Sequence, residues 1–283
     1  MIGNRNWNDN NCKLHGTADM KIQFIGVGTQ FSSQKQYHSN MVITARSGKR
    51  MLIDCGSDAR FSLAENGILP QDIDAVYISH LHADHIGGLE WLALSTHFST
   101  VTKSPELFCE EGLQHELWHH SLKGGLECIG EKSMELSDYF NCHALTEKST
   151  FHWEEMSFKL VKTPHVIGTC CNTYSYGLLV GPKKSTNGSS SFFITTDTVF
   201  QPELLEQVYK DVDLIFHDCE TSENETAVHA HYDQLSTLPE AVKRKIWLYH
   251  YQPNPSYKPL EDGFQGFIVK GQEFLFPAKK VEI

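Results

Sequence analysis

The chain reads as a single α/β domain. Short apolar runs of strand length recur along it, with helical patterns between them, and strands and helices return in two similar halves without an internal repeat of fixed period. Four of the apolar runs are each followed by a His or an Asp. That shared context predicts a cluster of polar side chains at strand ends.

The first nineteen residues are polar and Asn-rich and lack the apolar core of a secretory leader. They are expected to be a disordered tail, with the domain spanning 20–283. Residues 21–25 open it as a strand, and Gly26-Val27-Gly28-Thr29 turns. No helix follows that Gly-x-Gly, so it is read as a turn and not as a phosphate cradle. Residues 40–44 and 50–54 are the next strands, with Ser47-Gly48 as a hairpin signal. A short helix over 58–66 starts at Ser57 or Asp58 and stops at Gly67. Ala75-Val76-Tyr77-Ile78 is a buried strand, broken by Ser79, and a helix covers 89–97. The stretch 99–150 is weakly patterned: 110–120 reads as a helix, and Gly124-Gly125 onward as irregular. Alternation returns with Trp153, Met156, Phe158 and Leu160, which pair with 173–180. Residues 183–191 form a Ser/Gly-rich loop, and 204–209 a short helix. The strand 213–216 delivers His217-Asp218-Cys219-Glu220. Residues 232–243 are helical with a break at Pro239, and strands over 264–269 and 273–276 meet at a Lys270-Gly271 turn.

The 283 residues carry a formal net charge of −11 at pH 7 and eight cysteines. The acidic balance argues against a broad nucleic-acid footprint. Without a leader or a C-x-x-C pair the cysteines read as reduced thiols, which sets the chain in the cytoplasm. No run of about 18 apolar residues marks a membrane span.

The chemistry concentrates at His80-Leu81-His82-Ala83-Asp84-His85. Three imidazoles and a carboxylate on a loop at the mouth of a strand are a ligand set for a borderline divalent ion, zinc by default. His165, Asp197 and His250 follow later strand-like runs and supply the remaining donors. Seven donors are too many for one tetrahedral ion and suit two.

His80-x-His82-x-Asp84-His85, then His165, Asp197 and His250 in that order, with Asp54 after Met51-Leu52-Ile53, resembles the metallo-β-lactamase fold superfamily over about residues 20–283. The resemblance implies an αββα sandwich. It implies His80, His82 and His165 around a first metal, Asp84, His85 and His250 around a second, and Asp197 between them. It implies Asp54 orienting a ligand imidazole through its free N–H. Two zinc ions, with manganese as the alternative, then lower the pKa of a water held between them towards neutral. Asp84 in the second motif and Asp197 between the metals are compatible with phosphodiester hydrolysis, and Asp197 and His250 stand where lactamases of this fold often carry Cys or Ser, so the chain looks nearer the phosphodiesterase and ribonuclease Z branch. His217-Asp218-Cys219-Glu220 is similar to the His-Glu-Ala-Thr motif of ribonuclease Z. The resemblance therefore gives Asp218 the task of orienting a histidine that serves as general acid, His229 first and His231 second.

No glycine- and basic-rich arm for gripping RNA is present. The runs Tyr37-His38-Ser39-Asn40, Gly88-Leu89-Glu90-Trp91 and Trp247-Leu248-Tyr249-His250-Tyr251 are similar to anti-Pycsar phosphodiesterases of phages and bacteria. That resemblance implies a small cyclic-nucleotide substrate, hydrolysed by a homodimer. The alternative is processing of transfer RNA 3′ ends.

Overall fold

A computed structural model describes residues 18–100, 103–182 and 191–277. Most of the expected tail (1–17) and of the 183–191 loop lies outside them. Two seven-stranded sheets carry the fold. The first orders Glu273–Pro277, Ala18–Phe24, Met41–Ala45, Arg50–Ile53, Ala75–Ile78, Glu106–Glu110 and Asn141–Leu145. The second orders Gly266–Phe267, Ile246–Tyr249, Leu214–Asp218, Phe192–Ile194, Asn172–Pro182, Met156–Ile167 and Thr150–Trp153.

Apolar side chains bury both faces of each sheet. Ile22, Phe24, Ile43, Phe158, Leu178 and Phe216 pack between the sheets. Leu52, Val76, Leu92 and Leu117 bury the outer face of the first sheet against the helices Ala59–Glu65, Leu89–His97 and Glu111–Leu117. Leu205, Ile215, Leu235 and Leu248 do the same for the second sheet with Pro202–Asp211 and Tyr232–Ser236. The layers therefore run helix, sheet, sheet, helix. The parallel strands Arg50–Ile53, Ala75–Ile78 and Glu106–Glu110 are buried on both faces, which explains their unbroken apolar runs.

Three local readings change. The six-residue His/Asp cluster is not all loop: Ala83–Ile86 forms one helical turn behind His82. The Gly124-Gly125 pair is helical, because a π-turn over Trp118–Leu122 carries the helix on into Lys123–Leu126. Trp118, Leu122 and Leu126 then all reach the outer core, and that burial outweighs the low helix propensity of two glycines. Within the weakly patterned stretch, Glu106–Glu110 and Asn141–Leu145 are additional strands of the first sheet.

Candidate metal centre

The two sheets end on one shared edge, and the donors sit there. Ser79 and His80 follow Ala75–Ile78, Asp197 follows Phe192–Ile194, Asp218 ends Leu214–Asp218, and His250 follows Ile246–Tyr249. His165 lies near the end of the long strand Met156–Ile167. Their ligand atoms gather in three overlapping groups, His80, His82, His165 and Asp197, then Asp84, His85, Asp197 and His250, then Asp197, Asp218, His229 and His250, with all atoms of a group within 4.8 Å of one another. Asp197 belongs to all three. These side chains are buried except His82, which faces solvent, and His229, which is half-buried.

The cluster is built for cations. Asp54, Asp84, Asp197 and Asp218 are each 3 % exposed or less. Among the described residues none of the four pairs with Lys or Arg; every ion-pair partner is a histidine. Burying four carboxylates without a fixed counter-charge is costly unless ions supply it. His80 Nε2, His85 Nε2 and Asp197 Oδ1 are buried and lack a hydrogen-bond partner among the described residues. Burial holds His80 well below its ordinary pKa and His165 down to about 4, so both imidazoles present lone pairs at neutral pH. Burial pushes His85 and His250 in the same direction, but the facing carboxylates, Asp197 foremost, override it and raise both well above the ordinary value. The donor set therefore fits two divalent ions.

A ring of supporting contacts aims the donors. Asp54 accepts from His85 Nδ1 at 2.7 Å, from the Ser79 hydroxyl at 2.7 Å and from the Ser79 N–H at 2.8 Å. With Nδ1 held by Asp54, His85 turns Nε2 to the cluster. His165 Nδ1 donates to the Val228 carbonyl oxygen at 2.7 Å, which leaves the Nε2 lone pair facing the cluster, 3.0 Å from His82 Nδ1. Gly56 lets the chain close here, since a Cβ would meet the Asp84 carbonyl oxygen at 2.2 Å.

Backbone strain collects in the same place. Asp54, Thr196, Ala227 and His250 adopt φ of 60°, 53°, 60° and 62°. L-residues avoid this region, a β-branched threonine most of all, at a cost of about 1–2 kcal/mol each. His250 is itself a donor, Asp54 aims His85, and Thr196 precedes Asp197.

Asp218 is fully buried. Its Oδ2 accepts from His229 Nδ1 and from the Thr198 N–H, both at 2.9 Å, and its Oδ1 lies 3.3 Å from His250 Nδ1. Burial would lower the His229 pKa, but the Asp218 carboxylate outweighs it and the net shift is upward. With Nδ1 engaged, His229 turns Nε2 away from Asp218. His231, the second candidate for the acid, is not brought to the cluster. Its Nε2 donates to the Ser222 carbonyl oxygen at 3.0 Å, and its Nδ1 accepts from the Asp233 N–H at 3.3 Å. It caps the helix Tyr232–Ser236. Two residues apart, the pair diverges because the chain leaves an irregular loop at His229 and enters a helix after His231.

A cavity of about 550 Å³ opens over Asp84, Asp197, His229 and His250. Phe31, Gln252 and residues of the 220–228 loop also line it, and of these only Glu220 belongs to a motif singled out in the sequence. The loop is pinned by Glu220, which accepts from the Ser222 hydroxyl at 2.7 Å and the Thr226 N–H at 2.9 Å. Phe31 carried a legible signal, a lone aromatic within a polar run after Gly-x-Gly. Gln252 carried none.

The family model for anti-Pycsar protein Apyc1 matches residues 20–274. The chain belongs to the anti-Pycsar Apyc1 family. Curated members of that family include proteins of Bacillus phage vB_BveM-Goe7, 33% identical over 264 residues with 90% of this chain and 98% of the relative covered, and of Paenibacillus xerothermodurans, 34% identical over 260 residues with 91% and 94% covered. Among solved structures, the metallo-β-lactamase fold protein YhfI from Bacillus subtilis matches with a TM-score of 0.67 at 16% identity, covering 90% of this chain and 98% of its own. The short form of human tRNase Z matches with a TM-score of 0.65 at 18% identity, covering 91% and 100%. This member of the Apyc1 family thus has the metallo-β-lactamase fold, and its His/Asp cluster stands at the sheet edge that the two halves share.

Proposed function

We propose that the chain is a two-metal phosphodiesterase that hydrolyses 3′,5′-cyclic mononucleotides. The observation that carries this reading is the pairing of a seven-donor cluster, set among buried carboxylates without a Lys or Arg partner among the described residues, with a cavity of small-ligand size. About 550 Å³ lies within the roughly 300–1,000 Å³ typical of small-ligand sites. Family membership supports a small nucleotide signal as the substrate.

Two zinc ions, or manganese in their place, would be held by His80, His82 and His165 on one side and Asp84, His85 and His250 on the other, with Asp197 shared. When bound, such a pair supplies Lewis acidity to a phosphodiester and brings a water to ionisation near neutral pH. The chain's own residues do the rest. Asp54 and the Val228 carbonyl fix the imidazole tautomers. Asp218 holds His229 with its proton on Nδ1 and favours the imidazolium, so Nε2 can donate a proton to the departing ribose oxygen. Water adds to phosphorus, one ring P–O bond breaks, and a linear nucleoside monophosphate leaves. The reading includes a homodimer in the cytoplasm.

The test is hydrolysis of cyclic AMP, GMP, CMP and UMP by the metal-loaded protein beside a precursor transfer RNA, with His82→Ala as control. Cleavage of cyclic nucleotides that is lost in the variant supports the proposal. Cleavage of the RNA alone overturns it.

A further inference from the structure

Gln252 lies two residues beyond the donor His250 and lines the same cavity. Its amide is not free to turn. Oε1 accepts from the Thr221 N–H at 2.5 Å and from the Thr221 hydroxyl at 2.9 Å. That hydroxyl in turn accepts from the Gln252 N–H at 3.1 Å, so its own hydrogen must point to Oε1. Both lone pairs of Oε1 are used. The amide orientation is therefore set, and the side chain has only its NH₂ to offer. No described residue accepts a hydrogen bond from that NH₂, and Gln252 is half-buried at the cavity wall.

Phe31 lines the same cavity and is 95% exposed. Its loop is held at both ends, by the Gly28–His38 bridge and by Thr29 N–H donating to Ser32 Oγ at 2.8 Å. An aromatic ring presented on a tethered loop, with almost no contact of its own, is suited to a flat π-system.

We infer that Phe31 and Gln252 form the base subsite, and that Gln252 favours a pyrimidine with a carbonyl at C4 over one with an amine at C4. The inference rests on the cyclic-nucleotide reading above. A free glutamine pairs with an amino base through both of its atoms, the carbonyl accepting from the amine. Here Thr221 has removed that acceptor. What remains is a donor, which matches the C4 carbonyl of uracil and opposes the C4 amine of cytosine. The two pyrimidines have the same ring size, so the comparison isolates this contact.

Gln252→Glu is the test, because it keeps an oxygen for Thr221 and turns the NH₂ into an acceptor of the same shape. The readout is the ratio of kcat/KM for cyclic UMP to that for cyclic CMP, with Kd for the linear uridine and cytidine monophosphates alongside. The wild type is expected to favour uridine on both measures. The variant should lower the ratio by about tenfold or more, since one contact is lost and its opposite gained. Hydrolysis of both substrates with an unchanged ratio would overturn the assignment of Gln252. Phe31→Ala, at an exposed site, should raise KM for both substrates together; unchanged KM values would overturn the stacking half. If the metal-loaded wild type cleaves neither substrate, the phosphodiesterase reading itself fails and this inference falls with it.

Discussion

Replacing Asp54 by Asn isolates one supporting contact of the metal centre with little other disturbance. The side chain keeps its size, and Asn tolerates φ near 60° as well as Asp does. The wild-type carboxylate accepts three hydrogen bonds, from His85 Nδ1, the Ser79 hydroxyl and the Ser79 N–H. An amide can accept on one side only. If its oxygen stays with the Ser79 N–H, its NH₂ faces His85 Nδ1, and the imidazole must move its proton to Nε2, where a metal would bind. If the amide turns over, two donors meet at Ser79 and a buried N–H goes unpaired, at about 1–3 kcal/mol. Loss of such outer contacts weakens metal binding by roughly 10–100-fold, or about 1.4–2.8 kcal/mol at 1.4 kcal/mol per tenfold. The loss should fall on the ion held by Asp84, His85 and His250, and spare the one held by His80, His82 and His165. Chelator competition followed by metal analysis reads this directly: the first equivalent keeps its wild-type affinity and the second is weakened. Asp54→Ala should be worse, because Ala at that φ adds about 1–2 kcal/mol of strain. Two equivalents retained in Asp54→Asn at wild-type affinity would refute the tautomer argument.

Other expectations come from the same geometry. His229→Gln should lower kcat by roughly 10²–10⁴-fold, as removal of a general acid does, while His231→Gln should leave kcat in place and cost about 1 kcal/mol of stability as a lost cap; steady-state kinetics and urea melts separate the two, and equal losses of kcat would contradict the assignment. Stripping metal should lower Tm by about 5–10 °C, from roughly 2.7 kcal/mol at 100-fold saturation and 2–4 °C per kcal/mol for a chain of this order of size; an unchanged melting curve would argue against resident ions. His217 is fully buried, between the Asp218 carbonyl oxygen at 2.6 Å and the Tyr209 hydroxyl at 2.7 Å, and burial lowers its pKa. The folded state therefore holds it neutral while the unfolded chain takes up a proton below about pH 6.5. The stability it contributes is complete above that pH and is lost as pH falls below it, so urea midpoints of His217→Gln should decline less steeply between about pH 6.5 and 5 than those of the wild type.

The sequence by itself marked the candidate donors and their order. Each of His80, His165, Asp197 and His250 comes after an apolar run, at or near the end of a strand. A strand end is a local property: burial of the run and solvation of the residues just beyond it are written in adjacent positions of the chain. The helix at 89–97 and the hairpin at Ser47-Gly48, where Gly48 takes φ 92°, were legible for the same reason. The tertiary structure decided everything that depends on what lies opposite. Glu106–Glu110 and Asn141–Leu145 become strands because each pairs with a strand distant in sequence, and two adjacent glycines stay helical because a π-turn delivers Trp118 and Leu126 to the core. The sequence only ranked His229 above His231; folding separates them, since the partner of one is Asp218 from another strand and that of the other is the start of its own helix. Gln252 is the plainest case. No pattern marks it, and its character as a donor alone arises from Thr221, thirty-one positions away.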